Sequence, residues 1–355
     1  MNDLRRIKCM IYRSGTSKGA YFLDNDLPKD KKERHALIAK IMGSEDIRQI
    51  DGIGGATSVT TKVAIVSSSK MKGMDLDYKF IQPNIGESSV DDKPTCGNIL
   101  TAIGVFGLEK GLVSIDDGET NVNVYDVNTG ATITQTIKTP NRVVQYHGAT
   151  KIAGVPGSAA PIKMFFKNIT GGKTGHYLPT GNKIDTFNII KTTCLDISMP
   201  VVFINAKDMN ITGYETTSEL DANRELFEKL EDIREQASHK MGLGSAKGNV
   251  IPKIAVISEA QNDGDINIRY FTPSTAHPAL AVSAGFCVAA GSFIEGTLLN
   301  KLNPKKLKEG DFNVKIETPS GTIDVGVKFP TTNINDVEGK TTRTARLLLD
   351  GEVYI

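Results

Sequence analysis

The sequence is poor in aromatic residues and has no excess of charge of either sign. Aromatic residues make up 6% of the 355 residues, tryptophan is absent, and 42 Lys and Arg against 41 Asp and Glu give a formal net charge of +1. This balance excludes a strongly basic surface for nucleic acid and an acidic tail. We therefore expect no nucleic-acid partner.

Cysteine is also scarce, and the four residues Cys9, Cys96, Cys194 and Cys287 form no CxxC pair and no cluster. This spacing argues against a disulfide framework or a zinc knuckle and favours a reduced, cytoplasmic setting. The histidines show no spacing typical of a metal site, so we expect no metal. The N-terminal segment lacks the apolar run of a signal peptide.

Only one long hydrophobic run occurs, His277 to Ile294. Its length approaches that of a membrane span, but it contains His, Pro, Ser and Gly and has no flanking basic cluster. A helix buried on all sides in a protein core explains this composition better. We therefore expect no contact with a membrane.

Most of the chain has the pattern of short strands. Runs such as residues 7–13, 75–83, 201–207 and 322–329 are β-branched or alternating and are separated by Gly, Asn or Asp. The chain length suggests two domains. We expect a first domain over residues 1–185, completed by a strand over 343–355, and a second domain over 186–342.

Four helices are predicted. Lys29–Met42 and Ser218–Met241 are amphipathic, whereas Cys96–Leu108 and His277–Ile294 are apolar all round. The two apolar helices occupy matching positions in the two halves, which suggests an internal duplication. The predicted fold class is α+β, with two similar domains that each wrap a curved, mostly antiparallel sheet around one buried helix.

Cys96 is the first candidate for chemistry because it begins a predicted helix in the motif T-C-G-N. The N-terminus of a helix stabilises a thiolate, and the backbone N–H groups of Gly97 and Asn98 could bind a carboxylate. The alternative is a buried structural cysteine. The other three cysteines lie in strand or mid-helix contexts that favour the structural interpretation.

Lys62 is the second candidate, since it interrupts an otherwise apolar or Thr-containing strand over residues 59–66. A partly desolvated lysine is a usable general base; an edge-strand lysine that discourages aggregation is the alternative. The preceding glycine-rich loop, Gly52–Ser58, lets backbone approach a ligand closely. This loop enters a strand and not a helix, so a dinucleotide-binding motif is excluded.

Several further residues could bind a carboxylate through hydroxyl, imidazole or guanidinium groups. Each also has a structural interpretation: a simple connection for the Arg13–Gly19 turn, an exposed strand position for the arginine, and a cap for the histidine. The candidates are Ser14, Thr16, Ser17, Ser58, Arg269 and His277.

An ordered series of motifs, several of which contain these candidates, makes the chain resemble the family of 2-methylaconitate cis-trans isomerases (PrpF-like), which includes 4-oxalomesaconate tautomerases. The similarity covers nearly the whole length. The motifs are Tyr12–Gly19, Gln49–Gly55, Thr61–Ala64, Cys96–Asn98, Val155–Ile162 and Arg343–Arg346.

The resemblance implies the fold of diaminopimelate epimerase and proline racemase, an active-site pair formed by Lys62 and Cys96, and no cofactor. Racemases of this fold carry a second cysteine at the second buried helix. Here the predicted helix begins at Thr275-Ala276-His277 and has no thiol there, while Cys287 lies nearly three turns further on. Racemisation by two thiols is therefore disfavoured.

The leading hypothesis is an isomerase of a small unsaturated di- or tricarboxylic acid, similar to 2-methylaconitate or 4-oxalomesaconate, that removes and returns an allylic proton. Two alternatives stay open. One is a cofactor-independent racemase or epimerase of amino acids, and the other is a non-catalytic carboxylate-binding partner of a dehydratase. The oligomeric state is also open, including a homo-oligomer.

Overall fold

The computed structural model describes residues 4–152, 154–272 and 275–355. Its contacts divide the chain into two compact units, the first formed by Met1–Phe166 with Thr341–Ile355 and the second by Lys167–Lys340. The first boundary follows Phe166, earlier than the boundary at residue 185 that we expected from the sequence.

Unit 1 is a curved sheet with three helices. Its elements are β1 (Arg6–Ser14), β2 (Ser17–Leu23), α1 (Lys31–Met42), β3 (Val63–Ser68), β4 (Leu76–Pro83), β5 (Val90–Asp91), α2 (Gly97–Leu100), α3 (Ile103–Glu109), β6 (Gly118–Asp126), β7 (Thr132–Thr139), β8 (Ile162–Lys167) and β18 (Ala345–Tyr354). The strands follow the order β18–β1–β2–β3–β4–β6–β7, in which β2–β3 and β4–β6 are parallel and the other pairs antiparallel.

Helix α1 ends at Met42, as its sequence predicts, but it begins at Lys31, two residues later than predicted. The Asp30 side chain accepts a hydrogen bond from the Glu33 N–H, which satisfies one of the free donors at the helix start. Gly43 ends the helix in the left-handed conformation, with φ of 65°. One face of α1 packs on the sheet side that carries Phe22 and Ile65.

The predicted helix Cys96–Leu108 is wrong as a single helix, because it is interrupted after α2 and resumes as α3. Side chains distant in sequence take the backbone groups at the break. The Ser14 hydroxyl accepts from the Ala102 N–H at 3.0 Å, and Gln135 accepts from Gly104 N–H at 2.7 Å while donating to the Leu100 carbonyl at 2.7 Å. The main core of unit 1 surrounds these two helices.

Unit 2 repeats this architecture. Its elements are β9 (Asp185–Phe187), β10 (Ile190–Ile197), β11 (Met199–Asn205), α4 (Thr217–Ala222), α5 (Arg224–Lys240), β12 (Lys253–Ser258), β13 (Ile266–Phe271), β14 (Ala276–His277), α6 (Val282–Gly291), α7 (Leu298–Leu302), β15 (Gly310–Thr318), β16 (Gly321–Phe329) and β17 (Glu338–Arg343).

The strand pairings of unit 2 occur in the same succession as those of unit 1. The order β9–β10–β11–β12–β13–β15–β16 has parallel pairs at β11–β12 and β13–β15 and antiparallel pairs elsewhere. In both units a helical segment connects the first parallel pair, and a buried helix follows a two-residue strand before the second. The repeat confirms the predicted α+β fold of two similar domains.

The two helices predicted for this half also differ in their bounds from the helices of the structure. The segment predicted as Ser218–Met241 is divided at Asn223, whose side chain accepts from the Leu226 N–H and so starts α5 anew. The segment predicted as His277–Ile294 becomes helical only at Val282, because His277 pairs with Tyr270 as part of β14. Within the described residues, none of the helices is long and apolar enough to cross a membrane.

Candidate active site

Lys62 lies immediately before β3 and not inside a strand as the sequence suggested. Its ammonium group donates a hydrogen bond to Gln82 Oε1 at 3.0 Å and stands 5.1 Å from the centre of the Phe80 ring. The side chain is half-buried. The hydrogen bond to the amide oxygen fixes the direction of one N–H bond of the amine, and the aromatic ring covers one side of the nitrogen. Because the nitrogen is tetrahedral, the directions of its other bonds are then fixed as well.

Gln82 on β4 is a residue that sequence reasoning missed. Its Nε2 donates to the carbonyls of Thr61 at 2.7 Å and Pro83 at 3.3 Å. These two bonds fix which end of the amide is the oxygen, and the oxygen faces Lys62. A single glutamine in an alternating strand carries no signal that could have identified it.

Cys96 is the residue that precedes α2, with extended backbone angles and a half-buried side chain. Its carbonyl accepts from the Leu100 N–H at 2.9 Å and from the Tyr78 hydroxyl at 3.2 Å. Its side chain makes no capping hydrogen bond, so the first N–H groups of α2 keep no intrahelical acceptor. Burial raises the pKa of the Tyr78 hydroxyl well above its usual value, and this group therefore remains a donor.

One face of β4 supports both candidates. Tyr78, Phe80 and Gln82 alternate along the strand and so lie on the same side of the sheet. Tyr78 contacts the backbone of Cys96, while Phe80 and Gln82 contact the Lys62 amine. The two residues singled out from the sequence are thus both positioned by three consecutive side chains of this face.

Gly19 on β2 lies between the Lys62 backbone and helix α2, which Cys96 precedes. A Cβ atom built there would lie 2.8 Å from the Lys62 carbonyl oxygen and 2.8 Å from Ile99 Cδ1 in α2. The Ala20 N–H donates to the same Lys62 carbonyl at 2.9 Å. Only glycine permits this approach of the Lys62 backbone to the first turn of α2.

The turn between β1 and β2 is fastened to Asn98 at the start of α2. The Asn98 side chain accepts from the Thr16 N–H at 3.3 Å and donates to the Thr16 hydroxyl at 3.0 Å. Gly15 has φ of 54°, and a Cβ on it would overlap Asn98 Oδ1. Ser14 is fully buried and donates to the Asn98 carbonyl at 2.6 Å. Ser14, Thr16 and Asn98 therefore hold the turn against α2.

Ser17 differs from its neighbours. It is 3% exposed, and its hydroxyl is one of the buried polar groups without a hydrogen-bond partner among the described residues. Such a buried group without a hydrogen bond reduces the stability of the folded state unless it binds a ligand.

Two further candidates, Gly97 and Ser58, are exposed. A Cβ built on Gly97 would have no atom within 4 Å beyond its own helix and chain neighbours. Ser58 is exposed in the loop before Lys62.

The remaining cysteines lie in the core. Burial raises the pKa of Cys9 and of Cys194 to about 12, and that of Cys287 in α6 rises further for the same reason. These three thiols are poor nucleophiles at neutral pH. Cys96 is the half-buried exception in this set of four.

The two candidates in unit 2, Arg269 and His277, form hydrogen bonds with nearby groups of the same unit. Arg269 is 6% exposed and donates to the Glu215 carbonyl at 2.7 Å, to Asn267 Oδ1 at 2.9 Å and to the Ile268 carbonyl at 3.0 Å. His277 Nδ1 accepts from the Ala279 N–H at 2.9 Å. Across residues 4–152, 154–272 and 275–355 no group of three His, Cys, Asp or Glu is arranged to hold a metal.

The architecture places the chain in a class of proteins with the diaminopimelate epimerase-like fold. A hydroxyproline epimerase from Agrobacterium vitis aligns over 100% of this chain and 93% of its own, with a TM-score of 0.51 and 10% identity, which shows a shared fold only. The crystal structure of a methylitaconate-delta-isomerase is far more similar, with a TM-score of 0.91 and 33% identity over 100% of this chain and 96% of its own.

Sequence comparison identifies the family. The model of the PrpF protein family matches residues 4–355. The 4-oxalomesaconate tautomerase of Pseudomonas putida is 40% identical over 99% of this chain and 96% of its own length. The chain belongs to the PrpF family, which confirms the family predicted from the sequence motifs. Its named relatives are isomerases and tautomerases of small unsaturated carboxylic acids, as predicted.

Proposed function

We propose that this chain is a cofactor-independent isomerase of a small unsaturated di- or tricarboxylic acid, with Lys62 as the base and Cys96 as its partner. The carrying observation is the single face of β4 that holds the Lys62 amine through Phe80 and Gln82 and the Cys96 backbone through Tyr78. The family relationship supports the substrate class, because the relatives are named for oxalomesaconate, methylitaconate and methylaconitate.

In the proposed reaction the neutral amine of Lys62 takes a proton from a carbon next to the C=C bond. The electron pair of that C–H bond becomes part of a dienolate conjugated with a carboxylate, and the same proton equivalent is returned at another carbon. Gln82 accepts one N–H of the amine, which leaves the nitrogen lone pair free to face the substrate. A positioned base of this type contributes about 10²–10⁴-fold to the rate.

The substrate carboxylates require donors. Our proposed binding groups are the N–H groups of Gly97 and Asn98 in the first turn of α2, the hydroxyl of Ser17 and the exposed loop at Ser58. Within the described part of the chain, the Ser17 hydroxyl has no hydrogen-bond partner. Ser14, Thr16 and Asn98 side chains act by holding the β1–β2 turn in place. A substrate contact by Arg269 or His277 stays a prediction, as does the cytoplasmic location.

The test is a screen of purified protein with 4-oxalomesaconate, 3-methylitaconate and 2-methylaconitate, followed by ultraviolet absorbance and NMR. We expect turnover of at least one of these acids without added metal or cofactor. Turnover of proline or diaminopimelate alone would replace the proposal by an amino-acid racemase. Binding of the acids without turnover would favour the carboxylate-binding accessory protein.

A further inference from the structure

A row of three cations crosses unit 1 and has no acidic partner among the described residues. Arg13 on β1 lies directly opposite Arg346 on β18 and directly opposite Lys18 on β2. Like charges at directly opposed strand positions destabilise a sheet. The ion pairs of these strands lie elsewhere, at Arg6–Glu352 and Lys110–Asp350, and none in the described part of the chain includes a member of this row.

Hydrogen bonds to neutral groups, and not ion pairs, hold Arg13 of this row in position. Arg13 Nη1 donates to the Thr344 carbonyl at 2.5 Å, to the Thr344 hydroxyl at 2.8 Å and to the Gly15 carbonyl at 3.2 Å. Burial and the nearby charge of Arg346 lower the pKa of the Arg13 guanidinium. An anion bound beside the row would remove this repulsion.

The three cations line a cavity of about 790 Å³. The size is within the usual range for small-molecule sites, about 300–1,000 Å³. His147, Thr150 and Ser158 contribute polar groups to the wall, and no described lining residue is Asp or Glu. This wall belongs to the segments 146–152 and 154–159. Two backbone hydrogen bonds between Thr150 and Ala159, at 3.0 and 3.1 Å, join these segments.

The side chains of the cation row project from the opposite face of β1 and β2 to the face that meets α2 in the candidate active site. On β1 and β2 the residues Ser14 and Gly19 face α2, as their contacts with its backbone and with Ile99 show. Successive residues of a strand point to opposite faces, so Arg13 and Lys18 project from the other side of the same two strands.

We propose that this cavity is a second binding site, for a small molecule with two or more anionic groups. The row crosses two strand spacings, about 10 Å in total, which one phosphate cannot cover but an extended polycarboxylate can. Guanidinium groups bind carboxylates through paired hydrogen bonds. The apolar wall formed by Val155, Pro156 and Leu348 suits a carbon skeleton between the charged ends.

The experiment measures how fast phenylglyoxal modifies individual arginines of the full chain, by peptide mass spectrometry. The probe is tricarballylate, a saturated tricarboxylate with no double bond to isomerise, and inorganic phosphate is run in parallel. We expect tricarballylate to protect Arg346 in a saturable way and to leave Arg6, which is exposed, unprotected. Phosphate should protect only at higher concentration.

Three variants test whether tricarballylate binds at the cation row. Lys18→Gln should raise the tricarballylate concentration needed for half-protection by about 10-fold or more, since one hydrogen bond to a charged group is lost. Lys70→Gln, at an exposed lysine of the same unit, should leave it unchanged. Lys62→Ala should also leave it unchanged, which separates this site from the proposed catalytic one.

Three results would overturn the proposal. Arg346 could be protected no more than Arg6, phosphate could protect as well as tricarballylate, or protection could disappear in Lys62→Ala and persist in Lys18→Gln. Each of these results is independent of whether the protein turns over an unsaturated acid, so failure here is distinguishable from failure of the proposed isomerase activity.

Discussion

The two units share one topology but differ at the residue that precedes the buried helix. In unit 1 this residue is Cys96, a half-buried thiol, with Lys62 and Gln82 beside the same strand face. In unit 2 it is Ala281, and the thiol of that helix, Cys287, is fully buried in its middle. The comparison supports our proposal that the chemistry is carried out by one copy of the repeated fold.

Two of the candidate binding residues differ in the same direction. Arg269 in unit 2 donates from its guanidinium to local carbonyls and an amide, whereas Ser17 in unit 1 has a buried hydroxyl with no hydrogen-bond partner among the described residues. A satisfied buried group contributes to stability, and an unsatisfied one reduces it unless a ligand is bound. Unit 1 is therefore the half in which we expect substitutions to affect turnover most.

The largest expected effect is that of Lys62→Ala. Loss of the base should lower kcat/KM by about 10²–10⁴-fold while the fold is retained. Initial rates with the best substrate from the screen measure this, with Lys70→Ala as the matched control at an exposed lysine of unit 1. Retention of more than about a tenth of wild-type kcat/KM would remove Lys62 from the role of base.

A glycine in each unit provides the next comparison. Gly19→Ala should push the Lys62 carbonyl away from Ile99 and lower kcat about 10–100-fold, because small displacements of a catalytic group are costly. Gly285→Ala in α6 meets Val325 at 3.0 Å and should cost stability while kcat stays near that of wild type. Equal losses of kcat in the two variants would contradict the assignment of chemistry to unit 1.

Gln82 tests positioning of the amine. Gln82→Met removes the acceptor at 3.0 Å and should lower kcat about 10-fold. The amount of folded protein should stay near that of wild type in Gln82→Met. A purely structural role would instead reduce the amount of folded protein and leave kcat of the folded fraction unchanged.

The smallest effect on rate is expected for Cys96→Ser, if the thiol assists the lysine. Its clearest readout is alkylation of the native protein by iodoacetamide at neutral pH, where Cys96 should react before the buried Cys9, Cys194 and Cys287, whose thiols have raised pKa values. Substrate should slow the reaction at Cys96. Modification of Cys287 at an equal rate would contradict the observed burial.

Part of this structure could be predicted from local sequence. The alternating strands, the Gly43 end of α1 and the turns between β6 and β7 and between β15 and β16 depend on neighbouring residues. The break between α2 and α3 could not be predicted, since Ser14 and Gln135 cause it from distant strands. Gln82 was missed for the same reason: its role depends on pairing of β3 with β4.

The most direct measurement of the central claim is deuterium incorporation. Substrate incubated with the enzyme in deuterated water should gain deuterium at an allylic carbon at a rate tied to isomerisation, because the abstracted proton exchanges in part from the Lys62 ammonium. Lys62→Ala should give none. Isomerisation over many turnovers with no deuterium in the product, or equal incorporation with Lys62→Ala, would contradict proton transfer by this lysine.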